Sequence, residues 1–482
     1  MPGVPKSKGC KNCHKQKKRC DEAKPACSRC VRLNIPCMGA GEQRYVFKPV
    51  SFQNATKPVR KPSKRIYPAK VPILHKPQSP LSVVQAKFVA ALQMTDIRYS
   101  LGCYGDFLEH IPKRLGHSEV LDASAKAMID ALPYHYTQDL PPDALASYIS
   151  ALKELRVSLG SAETKLKPET LSTIYIIMIC QGWIGRTDDC VKSHGEILAH
   201  LANSAIGQNW TDTFELRLLE TLFVPLILEA MVNPAITMEP WFTFIDSCLL
   251  QPPYETRQEF KVLSLQAQKL VRMPVFFHKP FLHQAEIMST YGELRDDHPR
   301  IQQYLQSLKQ EMSNHSDQQQ VDCLKETRKE FHRFRVLDGV LLTVVIPLNS
   351  LLRTLYPEDN ALFLEAESLT NEFLALAEDA AQYRPLGASY IPPCLAAVWA
   401  TTSAFPDQQA KLATLMAEYQ PDFPSVRWMD QAVWLKSSHK MLLSQLTGAI
   451  NNDEDWYVHG ELDTSMVHCK AAFGPSGSCL FI

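Results

Sequence analysis

The chain has 482 residues, 45% hydrophobic and 21% charged, with a formal net charge of zero. That is enough for two or three domains with real cores, and no run of about 18 apolar residues is present to cross a membrane. The neutrality hides an asymmetry. Through residue 80 there are nineteen Lys and Arg against three acids, Asp21, Glu22 and Glu42, so a head at +16 precedes a remainder at −16. A basic head on an acidic body points to a polyanionic partner for the head.

Residues 1–9 are short and basic, and MPGVPKSKGC has no apolar centre of the kind an export signal needs. Six of the 14 cysteines fall within the first 37 residues, and the other eight are scattered singly. Scattered single cysteines without an export signal indicate a reducing compartment, where thiolate–metal bonds are favoured over disulfides.

The stretch Cys10–Cys37 reads CKNCHKQKKRCDEAKPACSRCVRLNIPC, with spacing Cys-x2-Cys-x6-Cys-x6-Cys-x2-Cys-x6-Cys. One unit, Cys-x2-Cys-x6-Cys, therefore occurs twice. A Cys-x2-Cys start puts two thiolates on one turn. The third, seven residues on, lies beyond about two helical turns, so each unit is expected to be a short helix with a cysteine at both ends. Lys24-Pro25-Ala26 between the units favours a turn that folds the second back on the first. Tetrahedral zinc takes four ligands, and six thiolates suit two ions sharing two bridging sulfurs. A rival parse uses only Cys10, Cys13, Cys27 and Cys30 around one ion, and leaves Cys20 and Cys37 at identical offsets without a role. The run His14-Lys15-Gln16-Lys17-Lys18-Arg19 between the second and third cysteines is the strongest basic cluster beside the site. His14 is read as a surface residue rather than a seventh ligand.

These residues resemble the fungal zinc binuclear cluster of six-cysteine transcription factors. The likeness rests on the six cysteines, the basic run, Asp21 after the third cysteine and the Lys-Pro turn. It implies two Zn2+ ions, with Cys10 and Cys27 bridging, Cys13 and Cys20 completing one ion, and Cys30 and Cys37 the other. It also implies that Lys17 reads a CGG triplet in the major groove, where a Lys can donate to guanine O6 and N7. Lys15, Lys18 and Arg19 would hold phosphates and set register. His14 and Gln16 depart from the commonest pattern, which has Arg or Lys there.

Residues 41–82 read as a basic, Pro-rich linker, because proline forbids a continuous helix there. Arg60-Lys61-Pro62-Ser63-Lys64-Arg65 fits either an import signal or a solvated linker. No heptad run follows the cluster, so dimerisation, if present, falls to the body.

Residues 83–482 are expected to form an all-α regulatory domain. Helices are predicted over Asp143–Gly160, with Leu145, Ile149, Leu152 and Leu155 on one face, and after Pro168 through an all-apolar run. Others are predicted at Cys190–Ala205, Phe214–Val232, Arg328–Leu355, Leu362–Tyr383 and Gln431–Leu446, with a surface loop at Ser313–Gln320. Tyr99 and Leu115-Gly116-His117 resemble the start of that family's helical regulatory region. No phosphate-binding glycine loop, His-Glu-x-x-His pair or Gly-x-Ser-x-Gly turn is present. His278 and His283 read as core or surface histidines, and Trp183, Trp241, Trp399 and Trp434 as core. Asp453-Glu454-Asp455-Trp456-Tyr457 reads as an acidic loop, and Cys479-Leu480-Phe481-Ile482 is a poor prenylation signal.

The combined expectation is a mainly α protein with a small N-terminal zinc cluster module (1–40), a flexible linker (41–82) and a large helical domain (83–482). The resemblance implies a nuclear, non-enzymatic regulator at RNA polymerase II promoters that binds double-stranded DNA at CGG-type half-sites. Transcription machinery or coregulators, or a second copy through the helical domain, would be its protein partners, and its targets would be genes of secondary metabolism. The alternative is a cofactor that uses the cluster as a protein-binding scaffold.

Overall fold

A computed structural model describes residues 9–23, 26–37, 79–137, 139–140, 142–184, 194–208, 210–247, 262–314 and 321–451. The Lys24-Pro25 turn, nearly all of the expected linker, residues 315–320, the acidic stretch 453–457 and Cys479 lie outside the described residues. The chain divides into two units, Met1–Leu74 and His75–Ile482. Among the described residues every regular element is an α- or 3-10 helix, and there is no strand.

The first unit contains α1 (Lys11–Lys15) and α2 (Ser28–Arg32). The second unit opens with α3 (Pro80–Leu92), whose start is fixed by Ser79 accepting a hydrogen bond from the Ser82 backbone N–H. Then follow α4 (Glu119–Ala131), α5 (Pro142–Gly160) and α6 (Pro168–Ile184). The apolar run of α6 is a buried helix, as its opening proline and length predict, and it packs against α4 and α5. Next come α7 (His194–Ile206), α8 (Thr213–Val232) and α9 (Glu239–Ser247). The Glu215 carboxylate accepts from the Asp212 backbone N–H to hold the start of α8.

The C-terminal half consists of α10 (Gln284–Asn314), α11 (Val321–Leu355), α12 (Asn360–Ala380), α13 (Ile391–Thr401), α14 (Pro406–Tyr419) and α15 (Trp428–Asn451). The predicted helix over 362–383 ends at Ala380 and tightens into a 3-10 turn, Ala381–Tyr383. The predicted face of α5 is rotated. Leu155 is buried and Leu145 and Leu152 pack partly buried against the core, but Ile149 is exposed, and the fully buried positions are Ala144, Ser147, Tyr148, Ala151, Leu155 and Ser158. Small residues win that face because they let α4 approach closely. Trp183 and Trp241 are fully buried, whereas Trp399 and Trp434 are only half-buried. His283 pairs with Glu286 at 3.0 Å, an ordinary surface contact.

Within α11, Leu324–Leu355 is long and apolar enough to cross a membrane, yet 83% of its most apolar window is buried inside the protein. Its polar interruptions explain the choice, since each is matched by a neighbouring helix. Asp338 accepts from His298 of α10 at 2.8 Å, and the other nitrogen of His298 bonds Glu372 of α12. Asn349 donates to the Leu362 carbonyl and to the Tyr291 hydroxyl, both at 2.9 Å. Ser350 bonds His439 of α15 at 2.9 Å. These pairs bolt α11 to three neighbours by groups that would be costly to bury alone.

The triad of buried Asp338, buried His298 and exposed Glu372 generates a test. Burial opposes charge on His298, but its hydrogen bonds to Asp338 and Glu372 outweigh that and hold it up to about 9. Its folded value exceeds the unfolded value of about 6.5, so its contribution is complete below that pH and is lost as pH rises through about 9. Asp338→Ala should lower stability by about 3–5 kcal/mol, because it leaves an imidazolium without its buried partner. Denaturant unfolding across pH 6 to 10 should show the wild-type advantage over this variant shrinking in the alkaline half.

Candidate metal centre and nucleic-acid interface

Among its described residues the first unit has almost no apolar core. Val31 and Leu33 are 64% and 45% exposed, and Ile35 packs partly against the sulfurs. What is buried is Cys10, Cys13, Cys27 and Cys30, with Cys20 and Cys37 half-buried beside them.

The six thiols form two quartets. Cys10, Cys13, Cys20 and Cys27 have sulfurs within 4.8 Å of one another, and so do Cys10, Cys27, Cys30 and Cys37. Cys10 and Cys27 belong to both. Tetrahedral zinc with Zn–S of about 2.3 Å sets neighbouring sulfurs about 3.8 Å apart. The separations are 3.7 Å for Cys10–Cys27, 3.6 Å for Cys10–Cys30 and 3.8 Å for Cys13–Cys27. A disulfide would need about 2 Å. The residues present therefore fit two zinc ions, and the one-ion parse leaves the positions of Cys20 and Cys37 without a reason.

Local structure follows from the need to gather these sulfurs. Cys10 and Cys27 precede α1 and α2, and Cys13 and Cys30 lie in the first turn of each. The Cys13 N–H donates to the Cys10 sulfur at 3.5 Å, which places sulfur where a capping oxygen normally sits. The helices are five residues long, shorter than the spacing predicts, and Cys20 and Cys37 lie beyond them rather than at their ends. A continuous helix would carry a residue seven positions on about 10 Å along the axis, too far to rejoin one ion. The chain instead reverses at Lys17 (φ 53°) and Asn34 (φ 48°), which occupy the same place in the two units. Matching hydrogen bonds close both reversals, Lys18 N–H to the Cys13 carbonyl at 3.0 Å and Ile35 N–H to the Cys30 carbonyl at 3.1 Å. The Cys20 and Cys37 sulfurs then accept from the Cys10 and Cys27 N–H groups at 3.3 and 3.4 Å. Gly9 is required beside them, since a Cβ there would stand 2.9 Å from Cys20 Cβ.

Polar contacts join the units. The Asp21 carboxylate accepts from the Ser28 backbone N–H at 3.1 Å and from its hydroxyl, tying the first unit to the start of α2. These bonds from Ser28 hold the Asp21 carboxyl below its usual range. Asn12 Nδ2 donates to the Pro36 carbonyl at 2.7 Å, and Arg29 Nη2 donates to Gln16 Oε1 at 3.2 Å.

The thiols resist sharing this space as anions. Burial pushes Cys13 up to about 12 and raises Cys30 still further. Cys10 falls to about 6, chiefly because the Cys13 N–H donates to it. Six thiolates in one cluster need cations among them. Lys15 closes α1, Lys17 forms the reversal, and Lys18 and Arg19 follow it; all four are exposed on the same short segment. The His14 side chain lies outside the described residues.

Residues 8–45 match the family described as the fungal Zn(2)-Cys(6) binuclear cluster domain. The head is a binuclear zinc cluster domain. No curated protein and no solved structure matches the chain. A domain of this family binds two zinc ions and DNA, and the match assigns residues 8–45 to it. Sequence reasoning found the six cysteines and the basic run. It missed Asn12 and Arg29, whose contacts cross between units and leave no local pattern.

Metal analysis of the purified full chain should give two zinc ions per molecule. Stripping them with a chelator should abolish DNA binding yet leave the far-ultraviolet helix signal almost unchanged. Among the described residues the cluster domain supplies two five-residue helices, and the body carries the rest.

Proposed function

We propose that this protein is a sequence-specific regulator at RNA polymerase II promoters in the nucleus, and that Lys17 reads a guanine of a CGG-type triplet. Cys10 and Cys27 bridge the two ions, with Cys13 and Cys20 completing one set and Cys30 and Cys37 the other. The single observation that carries the reading is the family match over residues 8–45, with Lys17 at the reversal between two ligand cysteines. A lysine on a segment anchored at both ends by metal ligands has its backbone position fixed, and its flexible side chain carries the ammonium to the base edge from there. Lys15, Lys18 and Arg19 neutralise phosphates, and some of their charge offsets the cluster, since two Zn2+ and six thiolates sum to about −2. The proline-rich stretch 41–82 links this domain to a helical regulatory domain, 83–482, which contacts coregulators or a second copy.

A second reading, a cofactor whose cluster is a protein-binding scaffold, is favoured by the exposure of Val31 on α2 and of Leu33 just after it. Competition binding by the zinc-loaded full chain separates the two. The regulator should prefer CGG duplexes over scrambled ones, and Lys17→Ala should cost about 1–3 kcal/mol at the matched guanine and relax choice there. Lys18→Ala should instead weaken all duplexes alike and reduce the salt slope by about 1. Binding with equal affinity to every duplex would sink the base-reading role and leave the scaffold. Cys20→Ala should lower the zinc content by about one ion, whereas Cys10→Ala should empty the cluster.

A further inference from the structure

The two units of the cluster domain superpose in sequence with an offset of 17 positions, which makes their differences informative. Lys17 corresponds to Asn34, Gln16 to Leu33 and Asn12 to Arg29. One bond uses two of the differing positions. Arg29, half-buried in α2, donates from Nη2 to Oε1 of the exposed Gln16, at 3.2 Å and 13 residues away in sequence. The Arg29 Nε is buried and has no hydrogen-bond partner, so the guanidinium is held by packing at one end and by Gln16 at the other.

The bond decides which face of the Gln16 amide is free. A guanidinium has donors only, so it must meet the amide oxygen and not the nitrogen. With Oε1 engaged, the group left beside Lys17 is Nε2–H2, a donor. A free glutamine pairs with adenine through both atoms, Nε2 donating to N7 and Oε1 accepting from N6. A glutamine whose oxygen already accepts from Arg29 has its amide oriented by that bond and can meet N6 only through its remaining lone pair, so the two-bond pair with adenine is weakened. Its unpaired Nε2–H2 is best matched by bases that offer an acceptor without an adjacent donor to satisfy, guanine through N7 or O6 and thymine through O4.

We propose that Arg29 is a positioning residue that orients the Gln16 amide and biases it towards donating, so that Gln16 favours a base-edge acceptor next to the guanine read by Lys17 over adenine there. This rests on the base-reading role proposed for Lys17. Arg29 has no contact with DNA in this scheme and acts only through Gln16. The departure of Gln16 from the usual basic residue then has a purpose. A Lys or Arg at 16 would face Arg29 as a like charge, whereas an amide oxygen accepts from it.

The test measures relative affinities of the zinc-loaded full chain for duplexes that keep the preferred triplet and vary each flanking and central pair in turn. The wild-type chain should bind worst with adenine at the position contacted by Gln16. Arg29→Ala frees Oε1 and should raise affinity for adenine relative to guanine at that position by about fivefold or more. Zinc content and the Lys17-dependent preference should not change. Arg29→Lys, which keeps a donor, should restore much of the discrimination. The adenine gain should vanish in Arg29→Ala/Gln16→Leu, because it requires the freed amide. If Arg29→Ala weakens all duplexes equally, Arg29 is a phosphate contact or a structural residue and the proposal falls. It also falls if the adenine ratio is unchanged while the triplet preference survives, a result that leaves the reading by Lys17 intact. Absence of any triplet preference in the unmodified chain overturns both.

Discussion

The sulfurs of Cys10 and Cys27 each serve two quartets, and the whole head is shaped by that sharing. Two helices must start at these residues, side by side, with sulfurs 3.7 Å apart. Each helix must also stop within five residues so that a third cysteine can return. The left-handed reversals, the close approach at Gly9 and the cap at Asp21 all follow from this. A domain with so little apolar surface to bury has no other source of cohesion. The metal is part of the fold, and the exposed basic segment has a fixed course only while the ions hold both of its ends.

The body is stabilised by different means. Its central helix, α11, is apolar enough to be mistaken for a membrane span, and polar residues at two levels about three turns apart, Asp338 and the pair Asn349 and Ser350, give it specific neighbours. Asp338, Asn349 and Ser350 each meet a group from another helix, so a slip of one turn would leave buried donors and acceptors unpaired. Hydrophobic burial makes such a bundle compact, and these pairs select one packing among several of similar apolar area.

The contrast determines what was legible in the sequence. The cysteine rank is a pattern of metal ligation at fixed short separations, so it states the duplication directly, and the two sulfur quartets decide between its one-ion and two-ion parses. The helical body is legible where capping and periodicity agree, as at Pro142–Gly160 and Pro168–Ile184. Gln284–Asn314 escaped because Gly292 and Pro299 interrupt a polar helix that packing, not propensity, sustains. Ile391–Thr401 escaped because it is apolar on every side and carries no period. The inward face of Pro142–Gly160 was misread because close packing prefers alanine and serine to the larger Ile149. Contacts between residues far apart in sequence, Arg29 with Gln16 or His298 with Asp338, carry no local signal at all.

The duplication offers its own control for the meaning of Lys17. Asn34 and Lys17 occupy equivalent left-handed positions. Asparagine tolerates that conformation well, whereas other residues with a Cβ pay roughly 1–2 kcal/mol for it. If the backbone alone chose the residue, both sites would hold asparagine or glycine. Only the second does. At the first, a lysine is kept against the local preference, and the metal bonds on either side over-determine the turn enough to hold it. Strain retained at one copy of a repeat and relieved at the other agrees with a used side chain at Lys17, although Glu22 (φ 57°) holds the same conformation. The preference for a cation there supports a role in binding an anionic, acceptor-rich partner, which duplex DNA is.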